Sequence, residues 1–83
     1  MPRYYFDLRD GETFAPDKDG QEFADLDSAE YEAACTAAQI GRERLPASDA
    51  REITIEVRDE HGQRVVTVTV SMTITRVKPV RVA

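Results

Sequence analysis

From Val66 onward the apolar residues Val66, Val68, Val70, Met72 and Ile74 alternate with Thr67, Thr69, Ser71, Thr73 and Thr75. That period of two belongs to a β-strand with one face on a core and one in water. Read from Gln63 to Thr75, the strand holds thirteen residues and extends about 43 Å at roughly 3.3 Å per residue. A domain of this chain length spans only about 25 to 30 Å, taken as about twice its expected radius of gyration. The strand must therefore bend, break or reach beyond its own domain. An apolar alternation without proline or inward charge is an aggregation hazard if its edge stays bare. Such an edge is expected to be paired, across a two-fold axis or by exchange between protomers, or else to fold back near Ser71 over its own core.

The rest of the chain supplies a small core for this strand to join. Ile53, Ile55 and Val57 alternate with Thr54, Glu56 and Arg58, a second half-buried strand. Between the two strands, Asp59-Glu60-His61-Gly62 is a hairpin turn, with Gly62 suited to the left-handed position. At the start, Tyr4, Phe6 and Leu8 alternate with Tyr5, Asp7 and Arg9. Asp10-Gly11 then turns the chain into a short return strand over Glu12 to Ala15, which Pro16 ends. Asp17-Lys18-Asp19-Gly20 is a further turn, after which Phe23 is expected to tuck back onto the core.

The helix lies in the middle. Asp27 as N-cap with Glu30 three residues on resembles a capping box, and Leu26 can staple onto Tyr31. The spacing predicts a helix from about Ser28 to Leu45, stopped by Pro46. Its apolar face is expected to hold Ala34, Cys35, Ala37, Ala38 and Gly41, with Tyr31, Ile40 and Leu45 adding bulk. Small residues there allow close approach to a sheet. The order ββαββ predicts an α+β fold, one helix packed on a mainly antiparallel four-stranded sheet, with the long C-terminal strand at an edge or swapped. Residues 1–77 form one domain in this reading, and 78–83 a basic tail.

Charge divides the chain unevenly. Residues 1–60 carry seven basic side chains against all sixteen acids, a net −9, whereas 61–83 carry Arg64, Arg76, Lys78 and Arg81 and no acid, a net +4; together they give the −5 of the whole. So acidic a body repels a phosphate backbone, which disfavours nucleic-acid binding. Arg76, Lys78 and Arg81 suit an acidic surface, including that of a second copy. No stretch approaches the roughly 20 apolar residues of a membrane span. The opening Met1-Pro2-Arg3-Tyr4-Tyr5-Phe6-Asp7 has no apolar signal region, so a cytoplasmic location is expected.

Chemistry-bearing constellations are missing from the pattern. His61 is the one histidine, placed in a turn and expected in solvent, with no second histidine for a metal site. Cys35 is the one cysteine and reads as a reduced core thiol. Asp17-Lys18-Asp19-Gly20 is similar to part of a calcium loop, yet in that register the first and twelfth positions are Ala15 and Leu26, which removes essential oxygens. Asp7, Asp10, Glu12, Asp17 and Asp19 read as a solvated acidic rim, because a productive carboxylate pair needs a shielded pocket. Tyr4, Tyr5 and Phe6 read as core and edge aromatics. No catalytic, cofactor or metal residue emerges, and an enzyme is not expected.

The opening Met1-Pro2-Arg3-Tyr4-Tyr5-Phe6-Asp7-Leu8-Arg9-Asp10-Gly11, the Gly20 to Asp27 approach, the Ala-rich helix and Ile53-x-Ile55-x-Val57-x-Asp59-x-x-Gly62 together resemble an uncharacterised family of small bacterial proteins. That resemblance covers roughly residues 1 to 70 and implies no activity. The element order is also similar to the N-terminal domain of HicB-type antitoxins. The expected function is a non-catalytic protein-interaction or self-assembly module, a homodimer formed through the C-terminal strand. Val70, Met72 and Ile74 would supply apolar contact, and Arg76, Lys78 and Arg81 charge. The alternatives are a HicB-like antitoxin or regulator that binds a basic nuclease, and a small ligand-binding protein or enzyme.

Overall fold

A computed structural model describes residues 1–78 of the chain. Its elements are β1 (Arg3–Asp10), β2 (Thr13–Ala15), β3 (Gln21–Glu22), α1 (Leu26–Arg44), a 3-10 turn (Leu45–Ala47), β4 (Glu52–Arg58) and β5 (Arg64–Ser71). The sheet is open and antiparallel, in the order β2-β1-β4-β5, with β3 also on β1. The architecture is α+β, one helix on one face of the sheet. Where the sequence predicts four strands there are five, because Gln21 and Glu22 pair with Tyr4 and Arg3. Two residues are too few to show any period.

The core lies between α1 and the middle of the sheet. Ile53, Ile55 and Val57 on β4 are wholly buried, each side chain worth roughly 1.5–3 kcal/mol in surface removed from water. Tyr4, Phe6 and Leu8 of β1 and Val66, Val68 and Val70 of β5 flank them. Phe23 is buried as expected, its ring stacked on Phe6 at 5.6 Å between centroids.

Helix α1 meets the sheet through a stripe at four-residue spacing: Ala29, Ala33, Ala37 and Gly41. A side chain at Gly41 would meet Val70, since a Cβ there would stand 3.0 Å from Val70 Cγ1. Only Ala37, Gly41, Ile40 and Leu45 of the expected face contact the core. Ala34, Ala38 and Tyr31 are exposed, and Cys35 is an exposed free thiol, not a core one. The helix is rotated from the expected phase because alanines occupy two adjacent flanks, and apolarity alone does not distinguish 33 and 37 from 34 and 38. The N-cap is Asp25, not Asp27, and its Oδ1 accepts the Ser28 N–H at 2.8 Å. Leu26 and Asp27 thus lie inside the first turn, so the expected staple between Leu26 and Tyr31 gives way to an exposed Tyr31.

Strand β5 ends at Ser71, four residues short of the expected Thr75. The reason is its partner: Ser71 pairs with Glu52, the first residue of β4. One further bond follows, from the Met72 N–H to the Arg51 carbonyl at 3.0 Å. Beyond it the chain leaves the sheet. The molecule extends 63 Å along its longest axis and has a radius of gyration of 16.1 Å, against about 12 Å for a compact domain of this length.

Candidate functional site

Two places concentrate unusual features, the β5 edge with the segment after it and a charged cluster on the sheet face away from α1. At the edge, hydrogen-bond phase follows from one contact. Met72 stands opposite Arg51 and donates to its carbonyl. In an antiparallel ladder the residues opposite each other alternate between bonded and non-bonded pairs. Val70, Val68 and Val66 therefore direct their backbone groups at β4. Thr67, Thr69 and Ser71 turn theirs outward to an edge with no neighbouring strand among the described residues.

The residues singled out in the sequence divide here into two groups. Val70 packs under Gly41, and Met72 is half-buried and bonded to Arg51. Ile74 stands 79% exposed, Val77 is 93% exposed, and Arg76 and Lys78 are exposed beside them. Arg81 lies outside the described residues. The sequence had no reason to single out Val77, which falls past the alternation.

The charged cluster is centred on Asp7, only 4% exposed. This corrects the expectation of a solvated rim at that residue. Arg58 donates to both of its oxygens, Nε to Oδ2 at 2.6 Å and Nη2 to Oδ1 at 3.1 Å, and the Asp17 N–H donates to Oδ1 at 2.9 Å. Burial pushes the Asp7 carboxyl up, but the Arg58 hydrogen bonds, the Asp17 N–H and the Arg58 charge outweigh it and hold the group below its ordinary value. Asp17 is likewise pushed up by burial and held low by the N–H groups of Phe6, Gly20 and Asp19 and by the Arg58 charge. The Arg58 guanidinium also donates to the Asp17 carbonyl and lies 4.9 Å over the Tyr5 ring.

Asp17 performs a structural task as well. On the outer edge of β1, β3 covers Arg3 and Tyr4 while β2 covers Leu8 to Asp10. In the gap between them the Asp17 Oδ2 accepts the Phe6 N–H at 3.0 Å, so one side chain substitutes for a missing strand residue. Its Oδ1 takes the N–H groups of Asp19 and Gly20, which sets the turn. Gly20 has φ +68, and a Cβ there would lie 2.7 Å from Tyr5 Cε2 and 2.9 Å from the Tyr4 carbonyl oxygen.

The rest of that sheet face is paired among its own groups. Glu56 meets Arg64 at 3.3 Å and Arg9 at 3.9 Å, and the Thr54 and Thr69 hydroxyls are 3.1 Å apart. An open cleft of about 200 Å³ between Pro2, Arg3, Tyr4, Asp59, Glu60 and His61 offers little free polarity. Glu60 already accepts the Arg3 N–H, and Asp59 accepts the His61 N–H. Among the described residues no group of three or more His, Cys, Asp or Glu side chains is placed to hold a metal ion, and no helix is long and apolar enough to cross a membrane.

The sequence pattern of the family described as Domain of unknown function (DUF6894) matches residues 3–71. The chain belongs to this family. No curated protein and no solved structure matches it. The DUF6894 match begins with the first residue of β1 and ends with the last residue of β5. The Asp7–Arg58–Asp17 cluster thus lies within the family domain. Met72, Ile74, Arg76 and Lys78 follow it.

Proposed function

We propose that this chain is a small non-catalytic self-association module of the cytoplasm, which pairs with a second copy through β5 and the segment beyond it. In this reading Val70, Met72 and Ile74 supply apolar contact, while Arg76, Lys78 and Arg81 meet the acidic body of the partner. The observation that carries the proposal is an open strand edge continuous with an exposed apolar segment. Among the described residues Thr67, Thr69 and Ser71 have backbone groups with no strand to bond, and Ile74 and Val77 stand in water. A bare edge and adjacent apolar side chains are the two features that strand addition satisfies together. Charge favours a second copy as the occupant, because the segment is basic and residues 1–60 are strongly acidic.

The test is the molar mass of the full chain by size-exclusion chromatography with light scattering. A mass near twice 9.3 kDa across a hundredfold range of concentration is expected, falling to the monomer when the chain is cut after Ser71. A monomer at all concentrations overturns the proposal. The −9 of residues 1–60 favours one second reading, a HicB-like regulator that binds a basic nuclease. A stoichiometric basic protein that copurifies and dissociates at high salt would select it over self-association.

A further inference from the structure

We propose a definite register for this assembly, resting on the self-association reading above. Strand β5 pairs with its own copy, antiparallel, about a two-fold axis at Ser71, so that Met72–Val77 of each chain lies along Val65–Val70 of the other. Backbone phase narrows the choice first. Thr67, Thr69 and Ser71 turn their N–H and C=O groups outward, so odd positions must oppose odd positions for the ladder to bond. An axis at Ser71 places Thr69 against the partner's Thr73 and Thr67 against the partner's Thr75.

Side-chain chemistry then fixes the axis. With Ser71 at the centre, Val70 meets the partner's Met72, Val68 meets the partner's Ile74, and Val65, 37% exposed at the bulge beside Arg58, meets the partner's Val77. Every exposed apolar side chain of the segment thus gains an apolar neighbour on its own face of the sheet. Moving the axis to Val70 sets the partner's Val77 against Gln63, so that this exposed side chain gains no apolar neighbour. Moving it to Met72 leaves the partner's Val77 beside Thr67, again without an apolar neighbour.

The helix supports the same placement. A two-fold axis normal to the sheet keeps both helices on one side. Gly41 stands over Val70, and the flank it shares with Ala34 and Ala38 is exposed, which leaves room for the partner's Met72 and Ile74 beside α1. The helix begins at the end of the sheet where β3 meets the start of β1, and β5 begins at that same end, with Arg64 opposite Arg58. The partner's Arg76, arriving next to Val66, reaches the turn that carries Asp25, Asp27 and Glu30. Cations there are held by those carboxylates against the unfavourable helix dipole.

Single cysteines test the register in the full chain, with Cys35→Ser as background. Ser71→Cys places one thiol beside its own copy and is expected to form a disulfide-linked dimer rapidly under mild oxidation. Thr73→Cys sits two residues off the axis and so four residues, about 13 Å, from its copy, beyond the roughly 7 Å limit for a disulfide. It is expected to link at least about tenfold more slowly. A mixture of Thr69→Cys and Thr73→Cys chains is expected to link across chains. If light scattering gives a dimer but Thr73→Cys or Thr69→Cys self-links faster than Ser71→Cys, the register is overturned and self-association stands. If the chain is a monomer and nothing links above the rate of random collision, both fall.

Discussion

Arg58→Ala is the substitution with the largest expected effect, and its magnitude can be worked from the cluster geometry. Asp7 is 4% exposed and accepts three hydrogen bonds, two of them from Arg58. Removing the guanidinium leaves a buried carboxylate with a single backbone donor. Breaking a buried pair from one side costs about 3–5 kcal/mol, and because the Arg58 side chain is 31% exposed the lower end, about 3 kcal/mol, applies. For a domain of this size that lowers Tm by roughly 12–24 °C. The loss also depends on pH in a defined direction. In the wild-type protein Asp7 lies below its ordinary value, so its contribution is complete above that value and is lost as pH falls through the lowered folded pKa. Without Arg58, burial dominates and raises the folded pKa, so Asp7 destabilises the variant at neutral pH and ceases to do so once protonated. The difference between the two proteins is therefore expected to shrink from about 3 kcal/mol at pH 7 as the pH falls through the lowered folded pKa, which lies below the ordinary 3.8, by urea unfolding followed by circular dichroism. Arg58→Lys keeps the charge without the two-pronged geometry and is expected to fall between them. A loss at pH 7 below about 0.5 kcal/mol, the range of ordinary surface substitutions, or a loss that does not change with pH, would refute the reasoning.

Three further outcomes are expected. Cys35, exposed on α1, should react with a thiol reagent such as DTNB in the native protein at a rate within a few fold of that in urea; protection would mean that the helix face is covered. Gly20→Ala should lower stability by about 2–3 kcal/mol in urea unfolding, combining left-handed backbone strain with overpacking against Tyr4 and Tyr5. Asp25→Ala should lower Tm more than Asp27→Ala, since Asp25 is the side chain that accepts the Ser28 N–H; the reverse order would restore Asp27 as the cap.

Much of the sheet was legible because alternation in β1, β4 and β5 reports directly which side chains face the core. Strand length was not, since pairing sets it: β5 keeps its period beyond Ser71, but β4 has no residue left to pair with it. The helix was located correctly and rotated wrongly. Its buried stripe is almost entirely alanine, and so is the flank beside it. For the cap, two aspartates two residues apart were equivalent in sequence, and only hydrogen-bond geometry separates them. The Asp7–Arg58 pair joins residues 51 positions apart, a link no local pattern carries. The one available sign was that Asp7 shares its outward phase with Tyr5 and Arg9, a position that reads as solvated until Arg58 and the Asp17 turn are seen against it.

The side chain of Asp17 bears on how far any assembly of this protein can grow. By taking the Phe6 N–H it terminates the outer border of β1, and the strands on either side of it are only two and three residues long. The opposite border at β2 is only three residues long, so β5 offers the longer edge for strand addition. Because filament growth needs two reactive borders per subunit, the strand pairing proposed above would use the one long border and stop there. Undoing the Asp17 contact should open the second border and convert a species of fixed stoichiometry into one that polymerises.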